Sequence, residues 1–376
     1  MTTIYLIRHG EAEGNIYRRL QGNYDSDLTA LGRRQVEALG KRFWDIPLDA
    51  VYSSDLYRAM ETGAVLCRRR NLPLHTDRRL REVHVGPWED QPMGNAWADD
   101  PENMTAFVSM SPAFRLSGAE TFSALAARGV AALEDIVGKN PNRTVAVCAH
   151  GAVLRSILGE LFPEDHIPWG TNTSVSLLTW KEGRWSLQYA NTREHLTGDL
   201  LNLPGDRDMC IRPMEENAVE EYIRYRKDAW QVVYGDLRGF DGPGFWLDAQ
   251  RSIGKDPMGM VVGYIDGRPA GMIQLNPSRD ANRGVGYIPF LYLREEYRHQ
   301  GLGIQLIGHA VSFYRRLGRS RLQLSVYPGN KNALGFYDKY GFVQVKKQRG
   351  RFGHLLLMEK DITPPSVPEG VEIISL

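Results

Sequence analysis

Thr3-Ile4-Tyr5-Leu6-Ile7-Arg8-His9-Gly10-Glu11 is an apolar run of strand character that stops abruptly on Arg-His-Gly-Glu. Thr144-Val145-Ala146-Val147-Cys148-Ala149-His150-Gly151 repeats the pattern, again ending on His-Gly. In open α/β sheets ligands bind beyond the C-terminal ends of the strands, so two histidines in equivalent positions at one sheet edge can converge there. Gly10 lets the chain turn sharply and approach a ligand closely. An imidazole beside a guanidinium suits attack on phosphorus. The imidazole is a fair nucleophile near neutrality, and the phosphoramidate it forms is labile enough to hydrolyse. The planar fork of arginine holds two phosphoryl oxygens at once.

Working outward, Leu28-Thr29 reads as a helix start with Thr29 as N-cap, and Val36, Leu39 and Phe43 repeat on one face. Asp49 to Ser53 reads as a second buried strand, followed by helical spacing from Asp55 to Arg69. Arg58 therefore falls in the first turn after a strand and can point at the same edge. Leu80-Arg81-Glu82 supplies a carboxyl group able to give a leaving alkoxide its proton. Helices are expected over Thr121 to Gly138 and Val153 to Leu161. Strands alternating with helices predict a three-layer α/β/α domain with a mostly parallel sheet covered on both faces.

Together these residues resemble the histidine phosphatase superfamily, the phosphoglycerate mutase-like fold. The resemblance runs through Arg8-His9-Gly10-Glu11, Asn15, Gln21-Gly22, Leu28-Thr29, Gly32, Gln35, Ser53-Ser54 to Thr62, Glu82, Gly86, Trp88-Glu89 and His150-Gly151. It implies that His9 is the nucleophile and that Arg8, Arg58 and His150 form the phosphate pocket with Asn15 and Gly151. Glu82 is then the proton donor to the leaving group and the base for the attacking water. Ala12 departs from the commoner Thr or Ser after Gly-Glu, which removes one hydroxyl contact. Gln21-Gly22-Asn23-Tyr24-Asp25, and the short stretch between Glu82 and Thr121, look like the phosphatase branch rather than the mutases.

Around Leu200 the pattern changes. Leu203-Pro204-Gly205-Asp206-Arg207-Asp208 is polar and turn-rich, which predicts a linker over 203–208. Beyond it Ile211-Arg212-Pro213 reads as a strand and Asn217 to Val233 as a helix. Met260 to Ile265 and Arg268 to Leu275 flank the hairpin signal Asp266-Gly267. Gly286 to Leu293 and Arg321 to Val326 read as further strands, with a helix beginning near Gly303 between them. In Tyr297-Arg298-His299-Gln300-Gly301-Leu302-Gly303 the glycines strip side chains from a turn that opens this helix, so backbone N–H groups can close around a pyrophosphate, with Arg298 or Gln300 adding a donor.

With Asn330-Lys331-Asn332-Ala333-Leu334-Gly335-Phe336-Tyr337 downstream, this half resembles the GNAT superfamily of acetyl-CoA-dependent N-acetyltransferases, a mixed α+β fold. The resemblance implies a strand through Phe290, Leu291, Tyr292 and Leu293 that splays from its neighbour and pairs with the pantetheine arm. It implies acetyl-CoA held by that strand, by 298–303 (Arg298, His299, Gln300, Gly301, Leu302, Gly303) and by Asn332, with Tyr337 protonating the departing thiolate. The acceptor pocket is expected from Trp230 to Trp246 and the Asp266 hairpin. No general base is assigned; Glu295 and Glu296 read as surface carboxylates.

The domains expected are thus a histidine phosphatase over 1–202, a linker over 203–208, a GNAT domain over 209–361 and a C-terminal tail over 362–376. With 46 basic and 45 acidic residues no global field recruits nucleic acid, and Arg68-Arg69-Arg70 reads as a solvated helix end. Cys67, Cys148 and Cys210 match no zinc or redox spacing, and neither mechanism requires a metal. No apolar run approaches the ~20 residues of a membrane span and no signal peptide opens the chain, so a cytoplasmic location is expected. The partners expected are a small phosphorylated metabolite, acetyl-CoA and an amine; oligomeric state is left open. The expected function is phosphomonoester hydrolysis joined to N-acetylation. A phosphatase regulated by a non-catalytic acyl-CoA-binding module and a phosphoglycerate mutase-type transfer are the alternatives.

Overall fold

The computed structural model describes residues 1–165, 167–201, 205–215, 218–350 and 353–376. Asn202, Leu203 and Pro204, where the first domain and the linker were expected to meet, and Asn217, the expected helix start, lie outside the described residues.

Two seven-stranded sheets organise the chain. In chain order the strands are β1 (Thr2–Arg8), β2 (Ala50–Ser53), β3 (Leu74–Thr76), β4 (Thr144–Ala149), β5 (Val175–Lys181), β6 (Arg184–Thr192), β7 (Cys210–Pro213), β8 (Met260–Ile265), β9 (Arg268–Asn276), β10 (Val285–Leu293), β11 (Arg321–Val326), β12 (Val343–Gly350), β13 (Gly353–Asp361) and β14 (Ile373–Ser375). The first sheet runs β14-β3-β2-β4-β1-β5-β6. Its first five strands are parallel, and the β5–β6 hairpin adds an antiparallel edge. The second sheet runs β12-β13-β11-β10-β9-β8-β7 and is antiparallel except for β10 against β11.

The helices are α1 (Glu13–Ile16), α2 (Ala30–Arg42), α3 (Tyr57–Arg68), α4 (Met93–Asp99), α5 (Pro101–Val108), α6 (Phe122–Lys139), α7 (Gly151–Leu161), α8 (Val219–Tyr234), α9 (Gly242–Ile253), α10 (Gly303–Arg316) and α11 (Lys331–Lys339). Thr29 caps α2 by accepting from Gly32 N, and Thr121 caps α6 by accepting from Ala124 N. The predicted face of α2 is buried: Val36, Leu39 and Phe43 sit inside the cores on that side of the first sheet. α6 and α7 cover the opposite face with Leu125, Leu133, Val153 and Ile157. At the β8–β9 turn Asp266 and Gly267 both have positive φ, 51° and 73°, the geometry of a two-residue hairpin.

The segment expected to trail away as a tail returns to the first sheet instead. Ile373–Ser375 pairs in parallel with β3, because β3 would otherwise present an unpaired edge. The basic run ends α3 as expected, with Arg68 and Arg69 exposed and Arg68 paired with Glu61, while Arg70 is half-buried and donates to the carbonyls of Phe43, Ile46 and Leu66.

The two halves are packed together. Arg315 on α10 pairs with Glu13 on α1 at 2.9 Å, both side chains under 9% exposed. Asn95 on α4 accepts from Ile211 N and donates to Ile211 O, so a side chain completes the edge of β7. Among the described residues no helix is long and apolar enough to cross a membrane.

Candidate active site

The register of β1 and β4 brings the two histidines together. Arg8 lies opposite Ala149, so His9 and His150 are the next residues on adjacent parallel strands. The His9 amide donates to Ala149 O at 3.0 Å, and the two rings are 5.2 Å apart between centroids. β2 lies on the other side of β4, with Ser53 opposite Cys148, and its chain turns into α3 so that Arg58 enters the same edge. His9, Arg58 and His150 are buried.

Each charged group is held by backbone. Arg58 spends its fork on two carbonyls, Nη1 to Tyr24 O at 2.9 Å and Nη2 to Gly22 O at 2.8 Å, with Asp25 3.8 Å away. Arg8 Nη1 donates to Gly170 O. Glu82 accepts from Val83 N, Ala152 N and Val153 N at 3.0–3.1 Å, which seats its carboxylate on the N-terminus of α7 directly beyond His150. Among the described residues no acceptor meets the Gly151 amide.

Some polar atoms have no protein partner. Arg8 Nε, Arg58 Nε and both ring nitrogens of His150 are buried without a hydrogen bond. Buried polar groups are normally satisfied, so an orphaned set at a sheet edge marks the place of an absent ligand. Its charge is anionic, because two of the four nitrogens belong to guanidinium groups.

Burial, and then the Arg58 and Arg8 charges, push the His9 pKa well below the usual histidine value. His150 is lowered in the same way, by burial, Arg58 and His9. Both imidazoles are therefore neutral at ordinary pH. His9 Nδ1 lies 2.7 Å from Gly10 O, an acceptor only, so Nδ1 carries the proton and Nε2 the lone pair.

Most of the other motif residues are scaffold, and Asn15 is scaffold through its Oδ1, which leaves its Nδ2 for the phosphate role expected of it. Glu89 accepts from Asn23 N and Tyr24 N, fixing the loop whose carbonyls hold Arg58. Gln35 Oε1 accepts from Glu11 N, and Thr62 Oγ1 accepts from Gly10 N. Asn15 Oδ1 accepts from Ala12 N, which fixes the turn after the motif. Trp88 packs with Phe107 and Phe114 in the core. His84 is half exposed and paired with Glu89. Asn172, not anticipated, donates to His9 O at 3.0 Å, and Thr173 N reaches the carbonyls of Arg8 and His9. The polar run Gly170-Thr171-Asn172-Thr173-Ser174 before β5 was the available signal.

In the second sheet β10 pairs with β11 only from Val285 to Ile288, although β11 continues to Val326. Against β9, Gln274 lies opposite Phe290 and Asn276 opposite Tyr287, so a bulge falls at Ile288–Pro289. Beyond it Leu291, Tyr292 and Leu293 are unpaired on the β11 side. Leu291 and Leu293 pack toward α10, while Phe290 and Tyr292 pack toward α8 and α9. At the start of α10, no acceptor among the described residues meets the six successive amides from His299 to Ile304. Gly301 stands at φ +72°, and a Cβ on Gly303 would crowd Leu293 and Phe336 at 3.2–3.3 Å. Six orphaned donors opening a helix fit a pyrophosphate, so 299–304 would hold that part of acetyl-CoA. Arg298 Nε donates to Leu293 O and Gln300 Nε2 to Glu296 O, so these two donors are held by the protein's own carbonyls. Asn332 is exposed. The Tyr337 ring is buried beside Phe336 and Phe342, and burial pushes its phenol pKa up.

Comparison with known proteins agrees with this geometry. The model of the histidine phosphatase superfamily (branch 1) matches residues 4–193. The chain belongs to that superfamily. Residues 219–342 of the same chain match the acetyltransferase (GNAT) family, so the histidine phosphatase domain is joined to a GNAT domain in one polypeptide. A metal-independent phosphoserine phosphatase of Arabidopsis thaliana is 32% identical over 201 residues, 52% of this chain and 84% of that protein. An uncharacterized phosphatase of Bacillus subtilis named PhoE is 28% identical, over 53% of this chain and 98% of its own length. Among solved structures, Bacillus stearothermophilus YhfR aligns at a TM-score of 0.50 with 32% identity, covering 52% of this chain and 99% of its own.

Proposed function

We propose that the histidine phosphatase domain hydrolyses phosphomonoesters of small metabolites through a phosphohistidine on His9, and that the GNAT domain acetylates an amine. One observation carries the first half: buried nitrogens of Arg8, Arg58 and His150 without protein partners surround a neutral imidazole whose Nε2 is free. Nε2 attacks phosphorus as the ester P–O bond breaks, and Glu82 gives the leaving oxygen its proton. Glu82 then takes a proton from water, whose oxygen displaces Nε2 and releases phosphate. Arg8, Arg58, His150, the Gly151 amide and Asn15 hold the phosphoryl oxygens. Relatives named as phosphatases support hydrolysis, and others named as probable phosphoglycerate mutases keep transfer to a second acceptor as the competing outcome of the test.

In the second half, acetyl-CoA supplies an activated acetyl thioester. The chain's residues bind its pyrophosphate on the 299–304 amides and align its arm along Leu291–Leu293. The amine forms a C–N bond and loses a proton as the C–S bond breaks, and Tyr337 protonates the sulfur.

The test is phosphate release from a panel of phosphomonoesters. His9→Ala is expected to lose roughly 10³-fold or more in turnover. Equal release by both proteins would remove His9 from the mechanism. Thiol release from acetyl-CoA is expected to require a primary amine and to fail in Gly301→Glu.

A further inference from the structure

On the α8/α9 face of the second sheet lies a cavity of about 550 Å³, beside the bulge where β10 leaves β11. Tyr287 and Pro289 line it at the bulge, so its floor adjoins the point where the strands part. It takes residues from α8, α9 and the 276–279 turn rather than from the Asp266 hairpin, whose carboxylate is occupied by Arg207.

The lining is strongly basic. Arg226, Arg251, Lys255 and Arg279 face the cavity with a single acid, Asp248. Asp248 pairs with Arg251 at 3.2 Å, and Arg279 stacks on Tyr287 with Asp280 3.6 Å away. Arg226 has no carboxylate at ion-pair distance among the described residues. It donates Nε to Tyr222 Oη at 2.8 Å and Nη2 to Gln274 Oε1 at 2.9 Å, and no acceptor meets Nη1 among the described residues. Its guanidinium lies 4.0 Å from the Phe290 ring centroid and 4.5 Å from that of Phe245. A cation clamped between rings and two neutral oxygens is costly to keep unless an anion meets it. The geometry also fixes it rigidly, as recognition of an oxyanion by a fork requires.

We propose that the acceptor is a primary amine that also carries an oxyanion, phosphate or carboxylate, bound by Arg226 and the neighbouring cations while its nitrogen faces the bulge at Ile288–Pro289. This rests on the acetyltransferase reading of the domain. A polyamine, whose charges are all positive, is excluded from such a cavity by repulsion.

The experiment uses the full-length chain carrying His9→Ala, so that the other domain cannot remove phosphate from a probe. O-phosphoethanolamine, β-alanine, ethanolamine and putrescine are compared for binding by calorimetry and for thiol release with acetyl-CoA. The anionic amines are expected to have KM values about 10²-fold below ethanolamine, with putrescine inert. The ranking of phosphate against carboxylate identifies the anion. Arg226→Gln is expected to shrink the gap at least ~10-fold, and the rim variant Arg279→Gln, which leaves the aromatic clamp intact, to shrink it in the same direction. Ethanolamine bound and acetylated as well as its phosphorylated twin, or a gap unmoved by both variants, would overturn the proposal. If the anionic amines bind in an Arg226-dependent way but no amine releases thiol, the anion site stands and the acetyltransferase reading fails.

Discussion

Gly32→Ala isolates one close approach on which the phosphatase site depends. Gly32 lies in the first turn of α2, where an alanine would ordinarily gain about 1 kcal/mol of helix propensity. A Cβ built there meets backbone: Glu11 O at 1.9 Å, Glu11 C at 2.8 Å and Glu11 N at 3.0 Å. None of these atoms is free to swing aside, because Glu11 N donates to Gln35 and Glu11 O accepts from Thr29 N. Restoring van der Waals separation requires a backbone shift on the order of 1 Å, and overpacking of that kind costs about 3 kcal/mol. The net loss is about 2 kcal/mol, or roughly 4–8 °C in Tm for a domain of this size. Glu11 is two residues from His9, so the same shift displaces the nucleophile, and an error of about 1 Å costs ~10²-fold in rate. Gly159→Ala is the control: Gly159 lies within α7 with nothing within 4 Å of an added Cβ, and the substitution should gain up to about 1 kcal/mol. Thermal unfolding and phosphate release of the three proteins make the measurement. A Gly32→Ala protein with wild-type Tm and turnover would refute the claim that the Glu11 carbonyl excludes a side chain there.

Arg315→Leu leaves the buried Glu13 carboxylate with Lys360 at 3.7 Å as its one nearby cation among the described residues and the Tyr17 hydroxyl as a donor, and should cost about 3–5 kcal/mol in urea unfolding. Adding Glu13→Gln should recover part of that, and strictly additive effects would show that the pair is not coupled. Arg58→Lys cannot span the carbonyls of Gly22 and Tyr24, so turnover should fall roughly 10²–10³-fold; full activity would place the phosphoryl group elsewhere. Acid should destabilise the protein through its buried neutral histidines. His9 and His150 are lowered well below their usual value, and His309, buried against Met258 O, is lowered to about 4. The unfolded chain then takes up these protons first, near pH 6.5, so stability is full above that value and falls as pH drops through the window down to the folded values. Each such histidine contributes a slope of up to about 1.4 kcal/mol per pH unit. Unfolding free energies that are flat from pH 7 to pH 5 would contradict the burial of these rings as neutral species.

Local signals were legible wherever the chain's own chemistry decides conformation. The strand ends at Arg8 and Ala149, the Thr29 and Thr121 caps, the Asp266-Gly267 turn and the glycine-rich start of α10 all depend on residues within a few positions of one another. The motif also brought His9, His150, Arg58 and Glu82 forward as site residues. What it could not show is how each is held. Glu82 rests on amides of a helix some seventy residues away, Asn172 reaches the His9 carbonyl from the loop before the neighbouring strand β5, and Glu89 acts on Arg58 only through a loop.

Sequence alone therefore determined the two halves, their element types and the side chains that carry phosphate chemistry, because hydrophobic period, caps and turn residues act at short range. Tertiary structure alone decided that β1 and β4 stand in the register that sets two imidazoles side by side, and that the last residues close the edge of the first sheet. It also decided that Pro289 marks a bulge, and that Arg226 faces a cavity whose four cations share one carboxylate, Asp248. Those outcomes depend on which distant segments share a hydrogen-bond ladder or a desolvated wall, a property of the packed chain as a whole.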